Sequence, residues 1–277
     1  MTLAEAADEG DRAGFPEAIA TGIIARAGGN CAEVLVVSEA VPGAGSMAFL
    51  ATALAKVREK IESSARKAGR DPSEVSLMAV TKGFPKETAQ AAIAAGITLL
   101  GENRVQEAEL KYGDMPGAYE LHLIGHLQRN KTRTASALFS CVQSIDKLET
   151  AAALESRLAE RGKTMDVLLE LNTSGEPSKS GFRSNEELLD CIESVALLTH
   201  LRLRGLMTVG PLSEDVSAVR RSFARLRELF EQIRTDGSLL DFTVLSMGMS
   251  GDFETAVEEG ATIVRIGTAL FGRRGGA

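Results

Sequence analysis

The residue with the clearest chemical potential is a lysine at the end of a predicted strand. Lys82 directly follows VSLMAVT at 75–81, an apolar and partly β-branched run. Partial burial lowers the pKa of a lysine amine, and the neutral amine is a nucleophile for a carbonyl carbon. The same position is also compatible with an exposed loop lysine that has no chemical role.

Two short turns near the C-terminus combine glycine with a hydroxyl residue. GMSGD at 248–252 and IGTAL at 266–270 each place backbone N–H groups and a hydroxyl at the start of a helix. Such turns hold anions such as phosphate, and the alternative is that Ser250 and Thr268 are ordinary helix N-caps. An amine and a phosphate site together suggest a ligand that carries an aldehyde and a phosphate.

A regular alternation of strands and helices positions these groups. Eight short apolar runs alternate with helical patterns, which is typical of parallel βαβ units. Eight units match a closed (β/α)8 barrel, which takes about 250 residues and carries its functional residues at the C-terminal ends of the strands. An open doubly wound sheet is the rival, but it would often carry a G-x-G-x-x-G turn, and the sequence has none. The predicted strands are 75–81, 98–102, 119–125, 140–145, 165–172, 201–209, 242–248 and 262–267.

The first 46 residues do not follow this pattern. They are rich in Ala and Gly, and Met47 opens a strongly periodic helix with Leu50, Leu54, Val57 and Ile61 on one face. The prediction is therefore an extra segment at 1–46, which is a mis-called start, an extension or an ordered addition, and a barrel at 47–277. Further helices are predicted at 86–95, 105–112, 128–139, 147–161, 185–198, 216–234 and 253–259.

The composition narrows the class of protein. The chain has 277 residues, of which 44% are hydrophobic and 25% charged, as in globular proteins. A net charge of −7 argues against a nucleic-acid partner. The sequence has no apolar run of roughly 18 residues that could span a membrane. It also lacks the basic N-terminus followed by an apolar run that marks a signal peptide, so we expect a cytoplasmic protein without a membrane partner.

His122 and His126 lack the glutamate of a zincin motif, so no metal site is predicted.

From about Met47 to Arg273 the sequence closely resembles the pyridoxal phosphate homeostasis protein family. Members of this family are PLP-binding (β/α)8 barrels of fold type III, related to the N-terminal barrel of alanine racemase. The matching stretches occur in family order and cover nearly the whole barrel. They are LMAVTKGFP (77–85), GENRVQE (101–107), HLIGHLQRNK (122–131), SIDKL (144–148), SKSGF (178–182), LRLRGLMTVGP (201–211), LSMGMSGDFETAVEEGAT (245–262) and VRIGTALFG (264–272).

The resemblance implies that pyridoxal 5′-phosphate (PLP) is the cofactor and that Lys82 forms a Schiff base with it. It also implies that Ser250, the backbone around Met249, and Gly267 with Thr268 hold the phosphate.

Three further residues take roles from the resemblance. Arg265 matches an arginine that faces the pyridine nitrogen, and Asn103 and Met207 match residues near the ring. The alternative for Arg265 is an ion pair with a strand carboxylate such as Glu102 or Glu170. Because arginine only donates hydrogen bonds, a ring nitrogen that accepts from it stays unprotonated and is a weak electron sink.

The predicted function is a PLP carrier that acts in PLP homeostasis, serves PLP-dependent apoenzymes and is a monomer without strong catalytic activity. One alternative is a PLP-dependent amino-acid racemase, which needs a second base opposite Lys82. Tyr112, at a helix end, and Tyr119, at the start of strand 3, are the only tyrosines, and neither position suits that role. In alanine racemase the second base comes from a separate C-terminal domain, whereas this sequence stops after the eighth unit. A class I aldolase is a third hypothesis.

Overall fold

Eight parallel strands form in the predicted runs, because aliphatic and β-branched residues suit a sheet that is covered on both faces. The computed structural model describes residues 44–235, 237 and 239–273. The strands are β1 (Ser76–Val80), β2 (Leu99–Glu102), β3 (Glu120–Leu123), β4 (Cys141–Ile145), β5 (Met165–Glu170), β6 (Leu201–Met207), β7 (Val244–Met249) and β8 (Ile263–Ile266). Each strand pairs with the next, and β8 pairs with β1 to close the barrel. The predicted (β/α)8 barrel is confirmed.

Helices separate the strands and surround the barrel. They are α1 (Ala44–Lys67), α2 (Lys86–Ala94), α3 (Val105–Tyr112), α4 (Thr132–Leu138), α5 (Leu148–Ala159), α6 (Asn185–Ala196), α7 (Val216–Thr235), α8 (Phe253–Glu258) and α9 (Thr268–Phe271).

Two helical details differ from the prediction. Helix α1 begins at Ala44 rather than Met47, because the exact end of a helix is set by weak local preferences that the apolar periodicity does not report. The predicted helix at 128–139 divides into a 3₁₀ turn at Arg129–Lys131 followed by α4, and α9 is the helix that the turn at 266–270 predicts to begin there, with no end assigned. Residues 1–43, with the apolar run at 32–37, lie outside the described residues.

The main apolar core lies between the strands and the surrounding helices. Helix α7 shows why, because its buried residues recur every three or four positions and form one apolar face. The apolar ones are Val219, Phe223, Leu226, Leu229, Phe230 and Ile233, and Ser222 is buried beside them. Across the part of the chain that the structure describes, no helix combines the length and apolarity needed to cross a membrane.

The interior of the barrel is more polar than the layer outside it. Two small apolar clusters are formed by residues that alternate along the strands, namely Met78, Val80 and Ile263, and Cys141, Leu168 and Met207. Alternate residues of a strand share a face, so Gln143, Glu170 and Arg265, each two positions beyond a cluster member, face the same side. All three are buried. A polar interior close to the C-terminal strand ends is where a barrel carries its functional groups.

Candidate functional site

Lys82 lies in a tight turn directly after β1. The side chain is half-buried, and the Phe84 N–H closes the turn by donating to the Thr81 carbonyl oxygen at 3.1 Å. On the other side of the lysine, the Gly83 N–H donates to Oε1 of Glu107 on α3 at 2.5 Å. The backbone on both sides of Lys82 is therefore fixed by hydrogen bonds.

A buried network on α3 and β2 holds the residue before the lysine. Nζ of Lys111 donates to the Thr81 carbonyl oxygen at 2.7 Å and to Oε1 of Glu102 at 2.6 Å. Thr81 Oγ1 donates to the same Glu102 oxygen at 2.7 Å and lies 2.6 Å from the Tyr112 hydroxyl. Burial raises the pKa of Glu102, while the hydrogen bonds from Lys111 and Thr81 oppose that rise. This network anchors the end of β1, where Lys82 begins.

The turns at 248–252 and 266–270, which we call the paired turns, are in direct contact. Ser250 Oγ accepts from the Gly267 N–H at 3.3 Å and from the Ala269 N–H at 3.2 Å. Gly248 has a φ of +90°, and a Cβ there would lie 2.5 Å from the Ala256 Cβ, so only glycine fits. The paired turns gather backbone N–H groups and a hydroxyl, which are donors that suit an anion.

The interpretation of Ser250 and Thr268 as N-caps of their own helices is wrong. The N-cap of α8 is Asp252 and that of α9 is Gly267, while Thr268 is the first, exposed residue of α9. Ser250, in the first of the paired turns, instead accepts from the Gly267 and Ala269 N–H groups at the start of α9, in the second turn. The contact between turns that are distant in sequence, rather than local capping, sets the position of the serine hydroxyl.

Arg265 is buried inside the barrel, with 3% of its surface exposed. Its Nη1 donates to Ser246 Oγ at 2.8 Å, and its Nη2 donates to the Thr208 carbonyl oxygen at 2.7 Å. Burial lowers its pKa to about 10, and the nearby charges of Glu170 and Asp252 oppose the shift. The guanidinium is therefore charged at neutral pH, and these two contacts use two of its five N–H groups.

The alternative ion pair of Arg265 with Glu102 or Glu170 is also wrong. Glu102 pairs with Lys111, and both carboxylate oxygens of Glu170 accept from the Ser180 hydroxyl, at 2.9 and 3.0 Å. Within the described ranges, no carboxylate lies within 4.0 Å of the Arg265 nitrogens. Burial also raises the pKa of Glu170, so its environment favours the neutral acid more than water does.

The other predicted site residues end neighbouring parts of the barrel. Asn103 directly follows β2 and is half-buried. Met207 is the last residue of β6 and is fully buried against Cys141 and Leu168. Met249 ends β7, and its N–H donates to Asp252 Oδ1 at 2.5 Å. All of the predicted residues thus lie at the C-terminal ends of the strands.

Lys82 and the paired turns occupy adjoining strand ends. Strands β1 and β8 are neighbours, and a Cβ on Gly267 would lie 3.2 Å from the Val80 carbonyl oxygen. The last residues of β1 and the second of the paired turns are thus in close contact. The backbone that leads into Lys82 therefore lies beside the second of the paired turns.

Sequence reasoning missed several residues that hold the site. Ser246 supports Arg265, and Lys111 supports the turn of Lys82. Each carried a weak signal, because Ser246 is a polar residue at an inward position of an apolar strand. Lys111 lies beside Ala108 and Tyr112 on the buried face of α3. Neither signal identifies Arg265 as the partner of Ser246, or Thr81 and Glu102 as partners of Lys111, since these residues come from other segments of the barrel.

Known proteins with similar sequences and structures identify the family and the fold of this chain. The family described as alanine racemase, N-terminal domain, matches residues 52–275. The pyridoxal phosphate homeostasis protein of Pseudomonas aeruginosa is 43% identical over 231 residues, which are 82% of this chain and 97% of that protein. The structure of PipY from Synechococcus elongatus PCC7942 with PLP bound has a TM-score of 0.69 and 33% identity, and the match covers 80% of this chain and all of that one (100%).

A more distant structure bears on the fold alone. Histidine racemase from Leuconostoc mesenteroides has a TM-score of 0.65 and 23% identity, and the match covers 83% of this chain and 58% of that one. The close relatives and the family match together assign the chain: it belongs to the pyridoxal phosphate homeostasis protein family, with a barrel of the alanine racemase N-terminal type.

Proposed function

We propose that this protein binds PLP at the C-terminal end of the barrel and serves PLP homeostasis rather than strong catalysis. The observation that carries the proposal is the set of donors at one end of the barrel: the Lys82 amine, the paired turns and the buried Arg265. The PLP-bound structure of PipY and the names of the close relatives support it.

The residues present fit the three functional groups of PLP. Ser250 Oγ accepts from the Gly267 and Ala269 N–H groups, so its own hydrogen is available to donate to the phosphate, and Met249, Gly267 and Thr268 lie in the same turns. Bound PLP supplies an aldehyde, and the Lys82 amine condenses with its carbon and releases water. Asn103 and Met207 then lie at strand ends beside the ring.

Arg265 favours holding the cofactor over catalysis with it. A guanidinium donates and never accepts, so a ring nitrogen that it contacts accepts a hydrogen bond and stays unprotonated. An unprotonated ring withdraws electrons weakly from a substrate carbanion. The proposed consequence is firm binding with slow chemistry at the substrate carbon.

The two tyrosines support the carrier over the racemase. The Tyr112 hydroxyl contacts Thr81 Oγ1, and burial raises its pKa, so the phenol is a poor proton acceptor at neutral pH. The Tyr119 hydroxyl donates to the Met115 carbonyl oxygen at 3.0 Å. Delivery to PLP-dependent apoenzymes, the monomeric state and the cytoplasmic location stay predictions.

The direct test is to map the covalent link. After PLP is added and reduced with borohydride, peptide mapping should find the pyridoxyl group on Lys82, and Lys82→Ala should lose the visible absorption band. Lys86→Ala is the matched control, because Lys86 lies on the same segment and pairs with Asp114 at 2.6 Å. A pyridoxyl group on another lysine would contradict the assignment.

A second assay separates the carrier from the racemase. The PLP-loaded protein is incubated with L-alanine or D-alanine, and the enantiomers are measured over time. The carrier hypothesis expects interconversion far slower than that of a racemase run in parallel. Comparable rates would make the protein an enzyme.

A further inference from the structure

A chain of buried polar side chains crosses the barrel and ends at Arg265. Ser246 on β7 donates from its hydroxyl to Oε1 of Gln143 on β4 at 2.7 Å. Strands β4 and β7 are not neighbours in the barrel, so this bond spans the interior. Gln143 Nε2 in turn lies 2.9 Å from His122 Nδ1, and all four side chains are buried.

The far end of this chain lies at the opposite end of the barrel. His122 Nε2 is 3.5 Å from Oε2 of Glu120, and Glu120 is the exposed first residue of β3. Parallel strands all begin at the same end of a barrel. The contacts therefore run from Arg265 to the N-terminal ends of the strands.

The charge on Arg265 sets the direction of every bond in the chain. A guanidinium only donates hydrogen bonds, so Ser246 Oγ accepts one from Arg265. The Ser246 hydroxyl then donates its own hydrogen bond to Gln143 Oε1. This orients the Gln143 amide with its NH₂ group toward His122. Nδ1 of His122 then accepts, which leaves the ring proton on Nε2, next to the Glu120 carboxylate.

The structure assigns Ser246, Gln143 and His122 as positioning residues for Arg265, with His122 held as the neutral tautomer that is protonated on Nε2. The effect on the cofactor rests on the proposed function, whereas the tautomer of His122 does not. This gives Arg265 an orientation that is imposed from the protein interior and needs no carboxylate partner.

Other protonation states of His122 break the chain. A proton on Nδ1 faces the Gln143 NH₂ group, so the amide must turn over and present NH₂ to Ser246. Ser246 Oγ then accepts from both Gln143 and Arg265, and none of its described contacts takes its own proton. One unsatisfied buried donor costs enough for a bias of about tenfold or more toward the Nε2–H tautomer.

The test is nitrogen NMR of the histidine rings in the full-length protein, with and without PLP. The chain has 3 histidines, and His126→Gln and His200→Gln assign their signals by elimination. In the unsubstituted protein His122 should show a protonated Nε2 and an unprotonated Nδ1. Ser246→Ala and Arg265→Met each remove the hydrogen-bond donation that orients the Gln143 amide. Each variant should therefore give a mixture of the two His122 tautomers.

A spectroscopic readout separates positioning from a merely structural role. With PLP added, Ser246→Ala should shift the visible absorption band, and Ser246→Thr, which keeps the hydroxyl, should restore it. Arg220→Met is the control, because Arg220 is a partly exposed arginine that pairs with Glu258 and Glu259 on the outer helices. It should change neither the tautomer nor the band.

The outcomes are distinguishable. His122 protonated on Nδ1 in the unsubstituted protein, or a tautomer that Ser246→Ala and Arg265→Met leave unchanged, would overturn the inference. An unshifted band in folded Ser246→Ala would overturn the positioning role. The expected tautomers without any PLP band in the unsubstituted protein would support the chain and overturn the proposed function instead.

Discussion

Among the residues that the structure describes, Lys111 and Arg265 are the two buried cationic side chains, and their surroundings are opposite. Lys111 keeps 5% of its side chain exposed and contacts two carboxylates, Glu102 at 2.6 Å and Glu107 at 3.3 Å. Arg265 is equally buried but donates only to neutral oxygens, those of Ser246 and Thr208.

The difference between the contacts of Lys111 and Arg265 indicates that the two cations have different roles. A buried charge is costly unless it is paired, so the contacts of Lys111 are what a structural cation needs to hold the β1 end in place. The charge of Arg265 has no such contact, although its position is fixed by two hydrogen bonds. We therefore expect the α3 side of the barrel to control stability and the β6–β8 side to control binding.

The largest expected effect is on stability from Lys111→Met. Removing the cation leaves the Glu102 carboxyl buried without its partner, which costs about 3–5 kcal/mol. Urea denaturation measures the loss. Lys60→Met is the control, because its pair with Glu254 is about half exposed and is worth at most about 1 kcal/mol. Equal losses in the two variants would remove the distinction between buried and surface pairs.

Ser250→Ala tests the binding side. Loss of a hydrogen bond to a charged phosphate costs about 1.5–3 kcal/mol of binding free energy, which is roughly tenfold or more in Kd. A PLP titration followed by absorbance measures it, and the urea midpoint should show a smaller loss of about 0.5–2 kcal/mol, because the Gly267 and Ala269 N–H groups lose their acceptor. Ser217→Ala, at an exposed serine on α7, is the control. Unchanged PLP affinity in Ser250→Ala would exclude a phosphate role for this hydroxyl.

Arg265→Met tests the second buried cation, for comparison with Lys111→Met. The substitution removes the donor to Ser246 Oγ and to the Thr208 carbonyl oxygen. It also removes the buried guanidinium charge, which is itself costly. The loss in the free energy of unfolding should therefore be about 1–3 kcal/mol, smaller than that of Lys111→Met. The visible spectrum of bound PLP should nevertheless change. A stability loss as large as that of Lys111→Met, with an unaltered spectrum, would assign Arg265 to structure.

The smallest effect concerns Glu170 and pH. Burial raises the folded-state pKa of Glu170 above its ordinary value of 4.5. The folded state then binds the extra proton, so this contribution to stability is present below about pH 4.5 and is lost as pH rises through the folded pKa. Glu170→Gln should therefore flatten the fall in stability between pH 4.5 and 7 and be at least as stable as the unsubstituted protein at pH 7.

The same variant tests the absence of an ion pair between Glu170 and Arg265. An ion pair would make Glu170→Gln less stable at pH 7, whereas the observed contacts to Ser180 predict no such loss. Urea midpoints across this pH range give the answer.

The sequence by itself predicted the barrel, which the structure confirms, and it proposed a site at the C-terminal ends of the strands. The short apolar runs and the helical patterns between them are local properties, so the strands appear within two residues of their predicted ends. Lys82 and Ser250 are candidates by position, because a barrel collects functional residues at the C-terminal strand ends, whereas the role of Arg265 comes only from the family resemblance. The start of α1 at Ala44 was missed, since the ends of helices depend on weak local preferences.

Only the tertiary structure decided which groups touch. Ser250 contacts a turn 17 residues away rather than its own helix, and Gln143 reaches Ser246 across the barrel, 103 residues away. Glu102 and Glu170 looked equally able to pair with Arg265, yet Lys111 holds the first and Ser180 the second. Local sequence sets the face on which a side chain lies, but the closure of the barrel sets the residue that it meets.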